Sequence, residues 1–174
     1  HYLGGSPYIE VRDRQIRSKA AELTKEEKKA WQTVETIYDW VRDNVEYKNG
    51  KLKGALAALR DKNGDCEELT SLFIAFCRVN KIPARTVWGP GHCYPEFFLQ
   101  DSKGGGHWFP CQAAGSRSFG GMPDRKPILQ KGDNFTVPGR KKTQRSGAEF
   151  LQAKAVRGRG NPNVEFVRRL LPGE

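Results

Sequence analysis

Gly64-Asp65-Cys66-Glu67-Glu68-Leu69-Thr70-Ser71-Leu72-Phe73-Ile74-Ala75-Phe76-Cys77-Arg78-Val79-Asn80-Lys81-Ile82-Pro83 opens on a turn, runs along an apolar stripe and closes on a proline. Asn63-Gly64 is a turn signal, and Asp65 is placed to cap the unpaired N–H groups of a helix that follows it. Leu69, Leu72, Phe73, Phe76 and Val79 recur at helical spacing. The spacing predicts a helix over 66–80 that stops at Asn80, ahead of Ile82-Pro83. Beyond Pro83 the period changes. The runs 84–89, 93–99 and 107–112 are short, aromatic or β-branched, and separated by Gly-rich turns, which is how strands read. Residues 102–106 form the loop of a hairpin.

Upstream, Thr24-Lys25-Glu26-Glu27 reads as a capping box. It introduces Trp31, Val34, Ile37, Tyr38, Val41 and Val45, the apolar face of a helix about six turns long. A shorter helix carrying Ile16, Ala20 and Leu23 precedes it, and 55–59 suggests another brief one. Past Gly115, strands are expected at 127–130, 135–137 and 165–170, with a basic loop between. Helices followed by antiparallel strands argue for an α+β fold, with N-terminal helices packed on an antiparallel β-sheet. A chain of 174 residues fits one domain, read here as 1–174 with a basic C-terminal part over 116–174.

No apolar run approaches the roughly 18 residues of a membrane-spanning helix. Four cysteines are too few for a disulfide scaffold, and none forms a CxxC pair. The chain begins at His1 with neither Met nor signal peptide. It is expected to be a trimmed or processed fragment, with any targeting segment out of view and localisation left open between export and retention. The formal charge is +10, and it is uneven: residues 116–174 carry 13 basic and 5 acidic side chains. The densest stretch is Arg140, Lys141, Lys142 and Arg145. A basic stretch over 139–145 suits an acidic polymer such as cell-wall material, or simply a solvated face. Aromatic residues do not interleave with the basic ones as a base-stacking platform needs, so no clear nucleic-acid partner is implied.

Cys66 falls in the first turn of its helix, where unpaired N–H groups and the helix dipole favour a thiolate. Glu67 and Glu68 oppose that charge, so activation requires a further partner such as a His. A small buried residue that happens to begin a helix is the competing reading. Cys77 lies eleven positions on, close to Cys66 in azimuth but about 16 Å further along the axis. It belongs with Phe73 and Phe76 on the apolar stripe, as a core cysteine.

Gly64-Asp65-Cys66, the segment Ile82-Pro83-Ala84-Arg85-Thr86-Val87, Gly91-His92 opening a strand that carries Glu96, and Trp108-Phe109-Pro110 together resemble the transglutaminase-like core of the papain-like cysteine enzymes. Ile37–Tyr47 is similar to that family's preceding helix. The likeness is best over 30–115. It implies a papain-like, transglutaminase-like architecture with Cys66 as nucleophile and His92 as general base, acting on protein or peptide amides through an acyl-thioester. No cofactor is implied. The backbone N–H of Cys66 would supply one oxyanion contact. Gln112 stands where the family has Asp. It can orient the imidazole as an amide does in papain-like enzymes, with weaker support for the imidazolium. A fold that kept its shape and lost activity, serving as a binding domain, is the rival implication.

If His92 faces Gln112 across the hairpin, Cys93 lies opposite Cys111 and Glu96 opposite Trp108. Alternation then puts His92, Tyr94, Glu96, Phe98, Trp108 and Gln112 on one face. His107 falls on the other, which makes it the poorer base. Cys93 and Cys111 would be near enough to form a disulfide or a reduced pair. The two His on opposite faces leave at most three convergent ligands, so zinc is not expected.

Overall fold

The computed structural model describes residues 2–123, 126–136, 139, 141–146, 165, 167 and 169. Four helices come first: α1 (Arg14–Leu23), α2 (Ala30–Asn44), α3 (Ala55–Asp61) and α4 (Cys66–Val79). Two short strands, β1 (Glu46–Tyr47) and β2 (Asn63–Gly64), flank α3 and pair in parallel. Strands β3 (Ala84–Gly89), β4 (His92–Gln100), β5 (Gly106–Pro110) and β6 (Gln130–Lys131) form an antiparallel sheet in the order β5-β4-β3-β6. The α+β expectation is met, with α4 lying between the other helices and the sheet.

That middle position explains why α4 is buried on nearly every side from Glu68 to Arg78. Phe73, Phe76, Ile74 and Leu72 are wholly inaccessible. Each such side chain contributes about 1.5–3 kcal/mol. On the sheet side Phe97 stacks on Phe109 and Phe119, and Trp31 of α2 meets all three edge-on. At one end of the core a buried ion pair joins Arg78 to Asp133 at 2.8 Å. Arg78 also donates to the Gly4 carbonyl, which ties the N-terminal segment to α4.

Three sequence expectations are corrected. Thr24 does not open α2. It closes α1: its N–H and hydroxyl both donate to the Ala20 carbonyl, and α2 begins at Ala30 behind Lys29. The competing interaction is local back-bonding of the hydroxyl, which the spacing of a capping box does not reveal. The β4–β5 register is displaced by two residues, with Phe97 opposite Phe109 and Phe98 opposite Trp108. The loop sets it: the Asp101 carboxylate accepts from the N–H groups of Lys103 and Gly105, and the turn closes between Asp101 and Gly105. A slip of two preserves faces, so the alternation of His92 and His107 survives, while Cys111 lies beside Pro95 and not Cys93. All four cysteines are free thiols. Finally, of the strand expected over 127–130 only Gln130 is in β6, which ends one residue later at Lys131, and Phe135 makes only an isolated bridge to Gln144. Val137, Arg140 and most of 165–170 lie outside the described residues.

The end of α4 fixes the chain's turn into β3. The N–H of Ile82 donates to Cys77 and that of Lys81 to Arg78, a Schellman motif. Lys81 therefore occupies the left-handed position, at φ +62°, which favours glycine. Replacing Lys81→Gly is expected to stabilise the protein by about 1 kcal/mol, read as an increase in the urea midpoint at unchanged slope.

Candidate active site

Cys66 is the first residue of α4, and the cap behind it is built by side chains. The Asp65 carboxylate accepts from Glu67 N–H at 2.8 Å, while the Glu68 carboxylate turns back to accept from Asp65 N–H at 3.1 Å. Glu68 also accepts from Lys53 N–H at 2.9 Å. Gly64 is obligatory here, because a Cβ at that position would collide with the Glu68 side chain as it folds back. The N–H of Cys66 itself, as the first of the helix, has no intrahelical acceptor. The strand pair β1–β2 sets Tyr47 level with Gly64, two residues before the nucleophile.

His92 begins β4 and Gln112 follows β5. Gln112 Oε1 lies 3.0 Å from His92 Nε2. With an amide oxygen facing it, Nε2 must carry hydrogen, which leaves Nδ1 for Cys66. Gln112 lies two residues past the end of β5, and its side chain reaches the first residue of β4. Its backbone is clamped. Gln112 N–H donates to Ser118 at 2.8 Å, and Arg42 of α2 donates to the carbonyls of Gln112 and Gly115, each at 2.8 Å.

Around Cys66 the hydrogen bonds favour thiolate. Its thiol is lowered to about 4, through a hydrogen bond from the Cys93 thiol, then one from His92 and one from Cys93 N–H, against burial. His92 is raised in turn by its bond to Cys66, with Gln112 adding to it. Asp65 is pushed up to about 6 by burial in its shared cap with Glu68, and Glu68 keeps the charge because backbone N–H groups outweigh its burial. Cys77 and Cys111 are driven up by burial, and Cys93 by its bond to Cys66 and by burial. Among the thiols, only that of Cys66 is shifted toward the ionised form.

A cleft of about 420 Å³ opens over the sulfur, walled by Tyr47, Asn49, Asp65, Glu67, Trp88, His92 and Ser146. The Tyr47 hydroxyl donates to Asn49 Oδ1 at 3.1 Å, whereas the Trp88 indole N–H is committed to the Gly132 carbonyl at 2.8 Å. Thus Gln112 bonds His92, and His92 and Cys66, far apart in sequence, line the same cleft. His107 does not: it is exposed on the hairpin beside Asp101. Sequence reasoning missed Cys93 as the neighbour of Cys66, Arg42 as the clamp on Gln112, and the Tyr47–Asn49 wall. None of these has a local signature. Among the described residues no group of three His, Cys, Asp or Glu could hold a metal ion.

A profile of the transglutaminase-like superfamily matches residues 17–113, more than half of the chain. The chain belongs to that superfamily. This transglutaminase-like protein is also similar to a crystal structure from Cytophaga hutchinsonii described as an inferred cysteine protease, at 25% identity and a TM-score of 0.55. The alignment covers 64% of this chain and 40% of that one. A structure from Parabacteroides distasonis, described as an inferred protease, is 14% identical with a TM-score of 0.47, covering 62% of this chain and 24% of that one. No curated protein matches. The superfamily match and the first of these neighbours agree on the fold. The family match contains Cys66, His92 and Gln112 and stops short of the segment 141–146 that reaches the cleft.

The hydrogen bond to Gln112 makes a signed prediction for His92. Gln112→Glu keeps the reach and adds a charge, so the imidazole pKa is expected to rise by roughly one unit, while Gln112→Ala removes the acceptor and lowers it. NMR titration of the His92 ring checks both.

Proposed function

We propose that this protein cleaves peptide amides through an acyl-thioester on Cys66. The thiolate adds to the amide carbon, and the new oxyanion is met by Cys66 N–H. The Tyr47 hydroxyl and the Asn49 amide, across the cleft, are the donors from which a second contact would come. The C–N bond then breaks as the His92 imidazolium passes its proton to the departing amine. Neutral His92 next takes a proton from water, the resulting hydroxide attacks the thioester, and the C–S bond breaks. The carboxylic product leaves and the thiolate–imidazolium pair is restored. An amine in place of water would give transfer, and a glutamine side chain in place of a peptide bond would give deamidation; the acyl-enzyme is common to all three.

The observation that carries this reading is that Cys66, at a helix N-terminus, and His92, bonded to Gln112, line the same cleft. Water as acceptor accords with the description of the Cytophaga hutchinsonii neighbour. A domain retained only for binding would have no use for a depressed thiol. Among the described basic residues of 139–145, docking on an acidic polymer would rest on Lys141 and Lys142, because Arg145 is turned inward.

Two measurements test the proposal. Cys66→Ala should abolish peptide cleavage, by about 10⁴-fold or more, with an unchanged circular dichroism spectrum. Products that persist in that variant would overturn it. The rate should also be bell-shaped in pH. It rises as Cys66 ionises, with its thiol near 4, and falls as His92 loses its proton at a value above the ordinary imidazole range. A single alkaline-going rise near the ordinary thiol value would contradict the ion pair.

A further inference from the structure

Glu67 presents the site with a problem that the family residues do not solve. It is the residue after Cys66, it lines the same cleft, and its carboxylate would raise the energy of a neighbouring thiolate. Glu68 is no obstacle, because its charge is spent on the N–H groups of Lys53, Gly54 and Asp65. Glu67 has no such sink on its own helix.

The side chain that meets it comes from the far end of the described chain. Arg145 is 6% exposed. Its Nη2 donates to the Glu67 carbonyl at 3.1 Å, and Nε lies 3.3 Å from Glu67 Oε2. The guanidinium lies 5.2 Å from the centroid of the Trp88 ring, a wall of the cleft. Among the described residues neither Nε nor Nη1 makes a hydrogen bond. Taking a guanidinium out of water with so few bonds in return is costly, and an apolar residue would pack there at less expense. What an apolar residue cannot supply is positive charge. The segment is held in place by the Phe135–Gln144 bridge, with both N–H···O distances at 2.7 Å, and it continues into Ser146 on the cleft.

We propose that Arg145 is a positioning residue of the site: from the basic C-terminal part it neutralises Glu67 beside Cys66, so that the helix N-terminus can hold the sulfur as a thiolate. This rests on Cys66 being the nucleophile. The other charged or titratable groups facing Cys66 are Asp65 and Glu68 in the cap, Tyr47 on β1, and His92 and Cys93 on β4. Lys126 acts on His92. None of these offsets Glu67. The charge balance of the nucleophile therefore depends on a residue more than thirty positions beyond the family match.

The test is the pH midpoint of Cys66 alkylation by iodoacetamide, followed on the Cys66 peptide by mass spectrometry in the full chain. Arg145→Ala should raise the midpoint by roughly one unit, and Arg145→Lys should restore most of it. Glu67→Gln should lower it, and the double variant should return to the parent value. A guanidinium that only braced the fold would leave the midpoint unmoved in Arg145→Ala, whatever Glu67→Gln does by itself. Coincident midpoints in the parent, Arg145→Ala and Glu67→Gln overturn the proposal. If Arg145→Ala does not fold, Arg145→Gln, which keeps much of the bulk without the charge, decides in its place, and a midpoint equal to the parent's overturns the proposal. The parent's own midpoint reports separately on the proposed function. An ordinary thiol value there refutes Cys66 as an activated nucleophile, whereas the differences among variants judge Arg145.

Discussion

The Glu68 carboxylate, folded back beneath Gly64, holds the rest of the site in register. It is 1% exposed and accepts N–H groups from Asp65, Lys53 and Gly54. One buried anion thereby gathers the start of α4, the approach to α3 and the end of β2 around the residue that carries the thiol. A buried charge is tolerated only when it is bonded in this way, and Gly64 is what leaves the space for it. The same contact secures the parallel pairing that places Tyr47 across from the nucleophile.

Several of the residues that make the family resemblance visible turn out to hold the sheet together. Arg85 pairs with Glu96 directly across β3 and β4, and lies over the Trp108 ring of β5, 3.9 Å from its centroid. Lys131 of β6 reaches the second oxygen of Glu96 at 3.1 Å. A single buried carboxylate thus ties three strands together, and a cation over an indole adds the fourth. These contacts orient the strand whose first residue is His92. The motif is informative about chemistry because the chemistry needs that strand fixed, even though Arg85 and Glu96 do not touch the sulfur.

Charge at the site follows from the fold's layout more than from any one residue. An N-terminal helix position favours thiolate, and a following pair of glutamates opposes it. The molecule resolves the conflict by sending each glutamate to a separate partner: Glu68 to backbone N–H groups, Glu67 to Arg145. The basic excess of residues 116–174 is accordingly not all surface charge, since Arg145 faces inward.

Local rules settled much of this in advance. The cap at Asp65, the helix over Cys66–Val79 and the faces of β4 and β5 are legible because capping and the periods of helix and strand depend on neighbours a few residues apart. Cys66, His92 and Gln112 were legible through their order within a resemblance, and the alternation that set His107 aside survived a register slip of two. Tertiary structure alone decided the rest. The loop around Asp101 chose the register, and that choice separated Cys93 from Cys111. The Thr24 hydroxyl, free to bond backward as well as forward, closed α1. Arg42, Tyr47 and Arg145 acquired their places at the site because hydrogen bonds and electrostatic interactions depend on distance in space. Residues 78 apart in sequence, such as Glu67 and Arg145, carry no mark of each other until the chain has folded.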